Sequence, residues 1–451
     1  MWAGVRRTSV PVIALAALAL SAPAHADWPV YGKDLANSRD GGADEPSAEQ
    51  AATLTEAWRF RSEDGDFTGT PVVADGTVVV GSFGGSVFAL DAATGALKWS
   101  RDLHTGPAGE REPTINGSAA IANGRVYVPV ADVDTPRVVA LRLSDGALLW
   151  DEVIDTQRDA DVFGSPTVWR GTVYIGVSAL FGELNDPDVR VRGALVALDA
   201  VTGARKWKRF TVPPGTDGGA VWGTPAIDPA TARLYVGTGN AYHEPAVDTT
   251  DSMLAIDARS GRLLDHFQAT PNDVWNGTTN VLTGPDHDFG ASANLLTAPD
   301  GRRLVGQGQK SGTYWALDRA AMEPVWDTFT GPGGAVGGIL GSTAYDGERI
   351  YGPDTPGGEI WALDREGSVV WLSADGGPIR FGPVATANGV VYTTDMSSFL
   401  TARESSTGVV IAKRPLGGPS WGGIAIDDGT VFAVTGVQSD SGFVVAYRPA
   451  G

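Results

Sequence analysis

Cysteine is absent from this 451-residue chain, and histidine occurs only five times. Disulfides, iron–sulfur clusters, cysteine-type zinc sites and covalently attached c-type haem are thereby excluded, and five scattered histidines make a poor basis for a multi-histidine metal centre. Beyond residue 26 no apolar run reaches 18 residues, so the remaining sequence offers no membrane-spanning helix. No phosphate loop or nucleophile elbow stands out. Positive charge is also scarce. Lys and Arg total 34 against 53 Asp and Glu, a formal charge of −19, which argues against nucleic acid or an anionic membrane surface as a partner.

What is abundant is glycine, at 60 residues, with 28 prolines and 42% hydrophobic residues. That mixture suits many short strands joined by tight turns. The 14 tryptophans outnumber the 10 tyrosines. The N-terminus reads as a leader: Arg6 and Arg7, an apolar core over residues 10–20, then Ala24-His25-Ala26 before Asp27. A signal peptide over 1–26 and a secreted or periplasmic domain over 27–451 are expected.

Within that domain one pattern recurs. Residues 88–99 read FALDAATGALKW, followed by VALRLSDGALLW (139–150), VALDAVTGARKW (196–207), LAIDARSGRLLD (254–265) and WALDRAAMEPVW (315–326). Weaker copies begin at 361, 401 and 444. An alanine is kept in all eight: Ala89, Ala140, Ala197, Ala255, Ala316, Ala362, Ala402 and Ala446. The spacing is that of propeller blades. Turn dipeptides such as Asp75-Gly76, Asn123-Gly124 and Asn388-Gly389 precede β-branched runs, giving four strands per unit. The last unit stops after its third strand, and residues 54–58 read as an orphan fourth. The expectation is an all-β, eight-bladed propeller whose N-terminal strand completes the last blade and closes the ring.

Alternate connections carry the extra length, at 178–193, 240–251 and 270–290, marking one face as the binding face. Phe163, Trp222, Phe381 and Trp421 share a register just before the innermost strands. They either fill the channel or offer a flat floor for a conjugated ligand.

These features resemble the quinoprotein alcohol dehydrogenases, propellers that use pyrroloquinoline quinone (PQQ) and a calcium or lanthanide ion. The resemblance rests on DWPVYGKDLANSR (27–39), the repeats, LYVGTGN (234–240), TPNDVWN (270–276), GPDHDFGAS (284–292) and GQKSG (308–312), and GPGGAVGGILGS (331–342) points to the polyvinyl-alcohol-dehydrogenase-like branch. It implies Asn240 and Glu183 as metal ligands, Lys310 at the quinone's reactive edge and Trp222 beneath the ring. Arg111, Ser165, Ser178 and Trp421 follow as further PQQ contacts.

One position departs from the family. Asn276 stands where the resemblance implies a catalytic Asp, and an amide cannot accept an alcohol's proton. Asp273 is the nearest carboxylate in sequence. Asp286 and Asp288 read either as a carboxylate pair or as turn-formers. Two functions stay open: oxidation of a small or polymeric alcohol with electrons leaving to a separate acceptor, or a non-catalytic propeller binding a protein or polymer.

Overall fold

The computed structural model describes residue 1 and residues 27–104, 113–278, 284–373, 377 and 379–450; the leader lies outside this set, as does Arg111. Among the described residues the chain forms eight four-stranded antiparallel sheets, each running from an inner strand A to an outer strand D. The eight-bladed propeller expected from the repeats is the fold observed. Among the described residues the only helices are α1 (Ala48–Ala52) and α2 (Leu180–Asn185).

The first blade shows why each unit folds as it does. Asp75 and Gly76 both take positive φ, at 49° and 64°, matching a hairpin turn whose twist suits the flanking strands. Strand B (Thr77–Gly81) is buried throughout, because neighbouring blades cover both of its faces. Strand D (Leu97–Asp102) lies at the rim and buries Trp99 alone among fully covered positions. The repeated alanine sits directly opposite the D-strand tryptophan, Ala89 against Trp99, and a bulge follows at Ala89/Leu90. Asp91 Oδ1 accepts from Thr94 N at 3.0 Å and Thr94 Oγ1 at 2.8 Å, fixing the C–D turn.

Ring closure is direct. Leu54–Ser62 pairs antiparallel with Gly442–Pro449, from Leu54↔Pro449 to Ser62↔Gly442, with one bulge between Glu56 and Trp58. The closing strand therefore runs four residues beyond the 54–58 expected. Residues 28–42 cross the propeller and bond to inner strands of several blades. Backbone carbonyls of Trp28, Pro29, Leu35 and Ala36 accept from Val73, Ile121, Ile227 and Leu295. Asn37 Nδ2 reaches the carbonyls of Thr224 and Ala293, both at 3.1 Å.

Deleting residues 54–60 should destabilise the whole ring, because the last blade loses its outer strand and exposes an edge. Trp99→Ala should cost about 3–5 kcal/mol by denaturant unfolding, the usual range for truncating a buried aromatic. Wild-type melting of the deletion would refute the closure.

Candidate functional site

Three adjoining blades bring the site together, using the long connections on one face. Trp222 precedes inner strand Ala226–Asp228, and Asn240 follows Arg233–Gly237. Asp286 and Asp288 lie on the connection into the next blade, and Lys310 follows that blade's strand Arg303–Gly308. Glu183 comes from α2, whose Glu183 carbonyl accepts from Gly277 N at 3.0 Å and so ties the helix to the same connection.

Lys310 is the hub. Its Nζ donates to Asp286 Oδ1 and Asp288 Oδ2, each at 2.8 Å, and stands 5.4 Å from the centroid of the Trp222 ring. All three ionic partners are buried. Asp288 Oδ1 also accepts from Asn240 N at 2.9 Å. Asn240 spends Nδ2 on the carbonyls of Ala241 and Trp275, both at 2.8 Å, which leaves Oδ1 as its available end. Gly290 flanks Trp222 closely: a Cβ there would lie 2.2 Å from the indole.

One ammonium does not balance this cluster. Burial, reinforced by Asp288, pushes the Asp286 carboxyl up to about 8 despite Lys310 beside it. Burial and the charges of Asp288 and Asp286 push Glu183 well above the usual carboxylate range. Burial opposes the Lys310 charge, but the flanking Asp288 and Asp286 carboxylates outweigh it and hold the ammonium firmly protonated. Several buried polar atoms around the cluster have no hydrogen-bond partner among the described residues: Glu183 Oε1, Tyr242 Oη, Asn276 Nδ2 and both carboxyl oxygens of Asp251. Such groups are costly unless something bonds them.

In front of Trp222 lies a cavity of about 440 Å³ in the channel. Glycines and hydroxyl or amide side chains line it, including Thr70, Asn116, Ser118, Ser165 and Thr224, with Phe163, Phe381 and Trp421. Trp421 Nε1 is buried with no hydrogen-bond partner among the described residues. Among the described residues no charged side chain lines this cavity.

The sequence-derived candidates divide accordingly. Trp222, Ser165 and Trp421 line the cavity, whereas Lys310, Glu183 and Asn240 are buried together in the ionic cluster and are not part of its lining. Ser178 is buried, its backbone paired with Asp161, and does not line the cavity. Asp273 accepts from the backbone N–H of Asp286 at 3.3 Å and of His287 at 2.8 Å, so both oxygens shape the turn that presents the aspartates. Asn276 Oδ1 accepts from Thr278 N and Oγ1. The residues that the sequence underrated are Asp286 and Asp288: they hold Lys310 rather than merely forming turns. The signal was present in the DHD spacing, two acids flanking one residue, but nothing local tied it to a lysine 22 residues downstream.

Lys310→Met would strand these carboxylates without a counter-charge. Removing one partner of a buried pair typically costs about 3–5 kcal/mol. The loss should be larger at pH 9 than at pH 5. Asp286 already has a raised folded pKa, so its favourable contribution exists below the unfolded value and vanishes as pH rises through about 8. Thermal unfolding of both proteins at the two pH values checks this; an equal loss at both would refute it.

Comparison with known proteins identifies the family to which these blades belong. Residues 28–332 match the PQQ family model, described as the glucose/ethanol/alcohol dehydrogenase β-propeller domain. A polyvinylalcohol dehydrogenase of Sphingopyxis sp. is 33% identical over 319 residues, covering 64% of this chain and 48% of that protein. The chain thus spans about half the length of the curated relatives it matches. Two solved structures share the fold. The quinohemoprotein alcohol dehydrogenase of Comamonas testosteroni has TM-score 0.78 at 22% identity, covering 94% of this chain and 81% of that one. A europium-containing methanol dehydrogenase has TM-score 0.77 at 18% identity, covering 94% and 98%. With the motifs, the eight blades and the family match in agreement, this chain is a member of the PQQ β-propeller family of glucose/ethanol/alcohol dehydrogenase domains.

Proposed function

We propose that this protein is an exported quinoprotein dehydrogenase that oxidises an alcohol to a carbonyl compound and passes the electrons to a separate acceptor. The observation that carries the reading is Lys310, held between Asp286 and Asp288 beside the ring of Trp222, which itself lines the cavity.

The residues present suit PQQ. Trp222 offers a flat apolar face, Gly290 leaves its ring uncrowded, and Ser165, Thr70, Asn116 and Trp421 supply hydrogen-bond donors. When bound, PQQ supplies a two-electron acceptor for the hydride of the alcohol carbon. Lys310 presents fixed positive charge where negative charge develops, the arrangement that most lowers such barriers. Asp286 gives one oxygen to Lys310 and, among the described hydrogen bonds, none to the other. It is therefore the carboxylate best placed to accept the hydroxyl proton, in preference to Asp273, whose two oxygens are both committed to backbone N–H groups.

A hard cation, calcium or a lanthanide, fits the donor chemistry of Glu183 and Asn240. Among the described residues Glu183 Oε1 has no hydrogen-bond partner, and three buried acids face one ammonium, an excess that either protons or a cation would offset. Among the described residues no three acidic or histidine side chains are spaced to hold a metal ion alone. The two protein oxygens would need cofactor oxygens to complete the shell.

Loading the purified protein with PQQ plus calcium or a lanthanide should give retained cofactor absorbance after desalting and dye-linked oxidation of alcohols. Trp222→Ala should weaken PQQ binding by about 1–3 kcal/mol, by analogy with bases stacked on aromatic side chains. Asp286→Asn should lower turnover about 10²–10⁴-fold, the usual worth of a general base, while PQQ affinity is retained. Wild-type turnover should rise with pH toward about 8 as Asp286 deprotonates, and this limb should vanish in the variant. Should Asp273→Asn abolish turnover instead, the base is Asp273. Bound PQQ with no oxidation of any alcohol would favour the binding-scaffold reading.

A further inference from the structure

We infer that the channel carries a site for one compact monovalent anion, such as a halide, held by the hydroxyls of Thr70 and Ser118 with the Arg39 guanidinium beside them. The inference is independent of the oxidation reading and shares no residue with the Lys310 cluster.

The segments that lead into the inner strands are linked to one another round the channel. The backbone N–H of Thr70 donates to Ser118 Oγ at 2.8 Å, that of Ser118 to Ser165 Oγ at 2.8 Å, and that of Ser165 to Thr224 Oγ1 at 3.3 Å. Thr224 and Ser292 carry the belt on to Ser342, each step at 2.8 Å. Among the described hydrogen bonds these hydroxyls only accept. A hydroxyl that accepts from one group still has its own hydrogen to donate. Thr70, Ser118, Ser165 and Thr224 line the cavity, so the belt offers it donors.

The belt stops at the seventh and eighth blades, where Pro383 has no N–H to give and Gly423 no hydroxyl. Arg39, from the N-terminal segment that crosses the propeller, occupies that gap. Its Nε donates to the Val384 carbonyl at 2.6 Å and its Nη1 to the Tyr31 carbonyl. Its Nη2 donates to the Ile424 carbonyl at 3.3 Å and to Thr70 Oγ1 at 3.5 Å. Arg39 is fully buried, and among the described residues no carboxylate pairs with it. Burial lowers its pKa to about 10, which leaves it charged at neutral pH. A buried cation whose partners are all neutral is costly, and an anion close by would relieve that cost.

The wall at Gly423 is where an anion can approach. Gly423 lines the cavity, and a Cβ there would lie 2.0 Å from Thr70 Oγ1 and 2.9 Å from Arg39 Nη2. Glycine therefore lets the hydroxyl and the guanidinium meet at this wall. Donation from Arg39 polarises the Thr70 hydroxyl and strengthens its own donation into the cavity. One guanidinium offsets one negative charge, so a divalent anion would stay partly uncompensated. Successive blades adjoin round the ring, which sets the first and eighth across the channel from the fourth and fifth, the blades of Trp222 and Lys310.

Melting of the full chain, followed as bromide replaces gluconate at constant ionic strength, tests this, because a ligand of the folded state alone raises the midpoint. The rise should saturate, and it should persist with PQQ bound. Arg39→Met and Thr70→Val should each weaken bromide binding about ten- to a hundredfold, the usual worth of a hydrogen bond to a charged group. Should Arg39→Met not fold, Thr70→Val decides, since valine keeps the branching of threonine. Arg303→Met removes a half-exposed arginine from the fifth blade and should leave bromide binding as in the wild type. Crystals soaked in bromide should give an anomalous peak within hydrogen-bond reach of Thr70 Oγ1. No saturable rise, a peak at Lys310 instead, or unweakened binding in either folded variant would each overturn the inference. So would loss of bromide on adding PQQ, which would assign these donors to the cofactor.

Discussion

The ring depends on one contact repeated from blade to blade: an outer-strand tryptophan laid over the C–D turn of the next blade. A Cβ on Gly95, Gly146, Gly203, Gly261, Gly367 or Gly408 would lie 2.6–2.8 Å from the indole of Trp58, Trp99, Trp150, Trp207, Trp326 or Trp371. Glycine is required there twice over, since the turn also holds positive φ, 72° at Gly95. Most of these indoles add a hydrogen bond to the neighbour, as Trp99 Nε1 does to the Leu143 carbonyl at 2.8 Å. Large apolar area, a directed N–H and a turn of fixed shape thus set blade spacing in a single contact.

Two junctions lack it, and both are instructive. Between the seventh and eighth blades the tryptophan position is Ala412, and the eighth blade has no C–D turn because its outer strand comes from the N-terminus. There α1 fills in, with Arg414 donating to the Ala52 and Leu54 carbonyls. Between the fourth and fifth blades the position is Asp265, opposite Ala255. The following turn has Met322 where the others have glycine, still at positive φ, and its side chain packs in the same apolar cluster as Ala255. Without an indole overhead, a side chain is tolerated.

Much of this was legible in the sequence, because each blade carries the same local code. Alanine opposite tryptophan, aspartate capping the turn and glycine beneath the indole are choices made within a dozen residues, and repetition averages out local irregularity. Ring closure was legible because the last unit came out one strand short while one orphan strand preceded the first. The ionic cluster was not. Lys310 and Asn240 stood out only through resemblance, and Asp286 and Asp288 looked like turn residues because nothing local distinguishes an aspartate that bonds its own loop from one that bonds a lysine on another strand. Asp273 looked available as a base for the converse reason: its two backbone partners lie 13 and 14 residues away on a returning loop.

The clasp-free junction between the fourth and fifth blades is also where the ionic cluster sits. Asn240 belongs to one blade, Lys310 to the next, and Asp286 and Asp288 to the chain between them. A buried ionic cluster is a poor substitute for an apolar clasp as a source of stability, since desolvation offsets most of its Coulombic gain. Its retention in place of a simpler packing solution therefore has to come from what the charges do. In a buried setting a fixed ammonium acts at the Trp222 face with little screening, while the surplus of carboxylates keeps the cluster short of positive charge. On the proposed reading, that combination serves to hold a cation and to move a proton beside a flat ring.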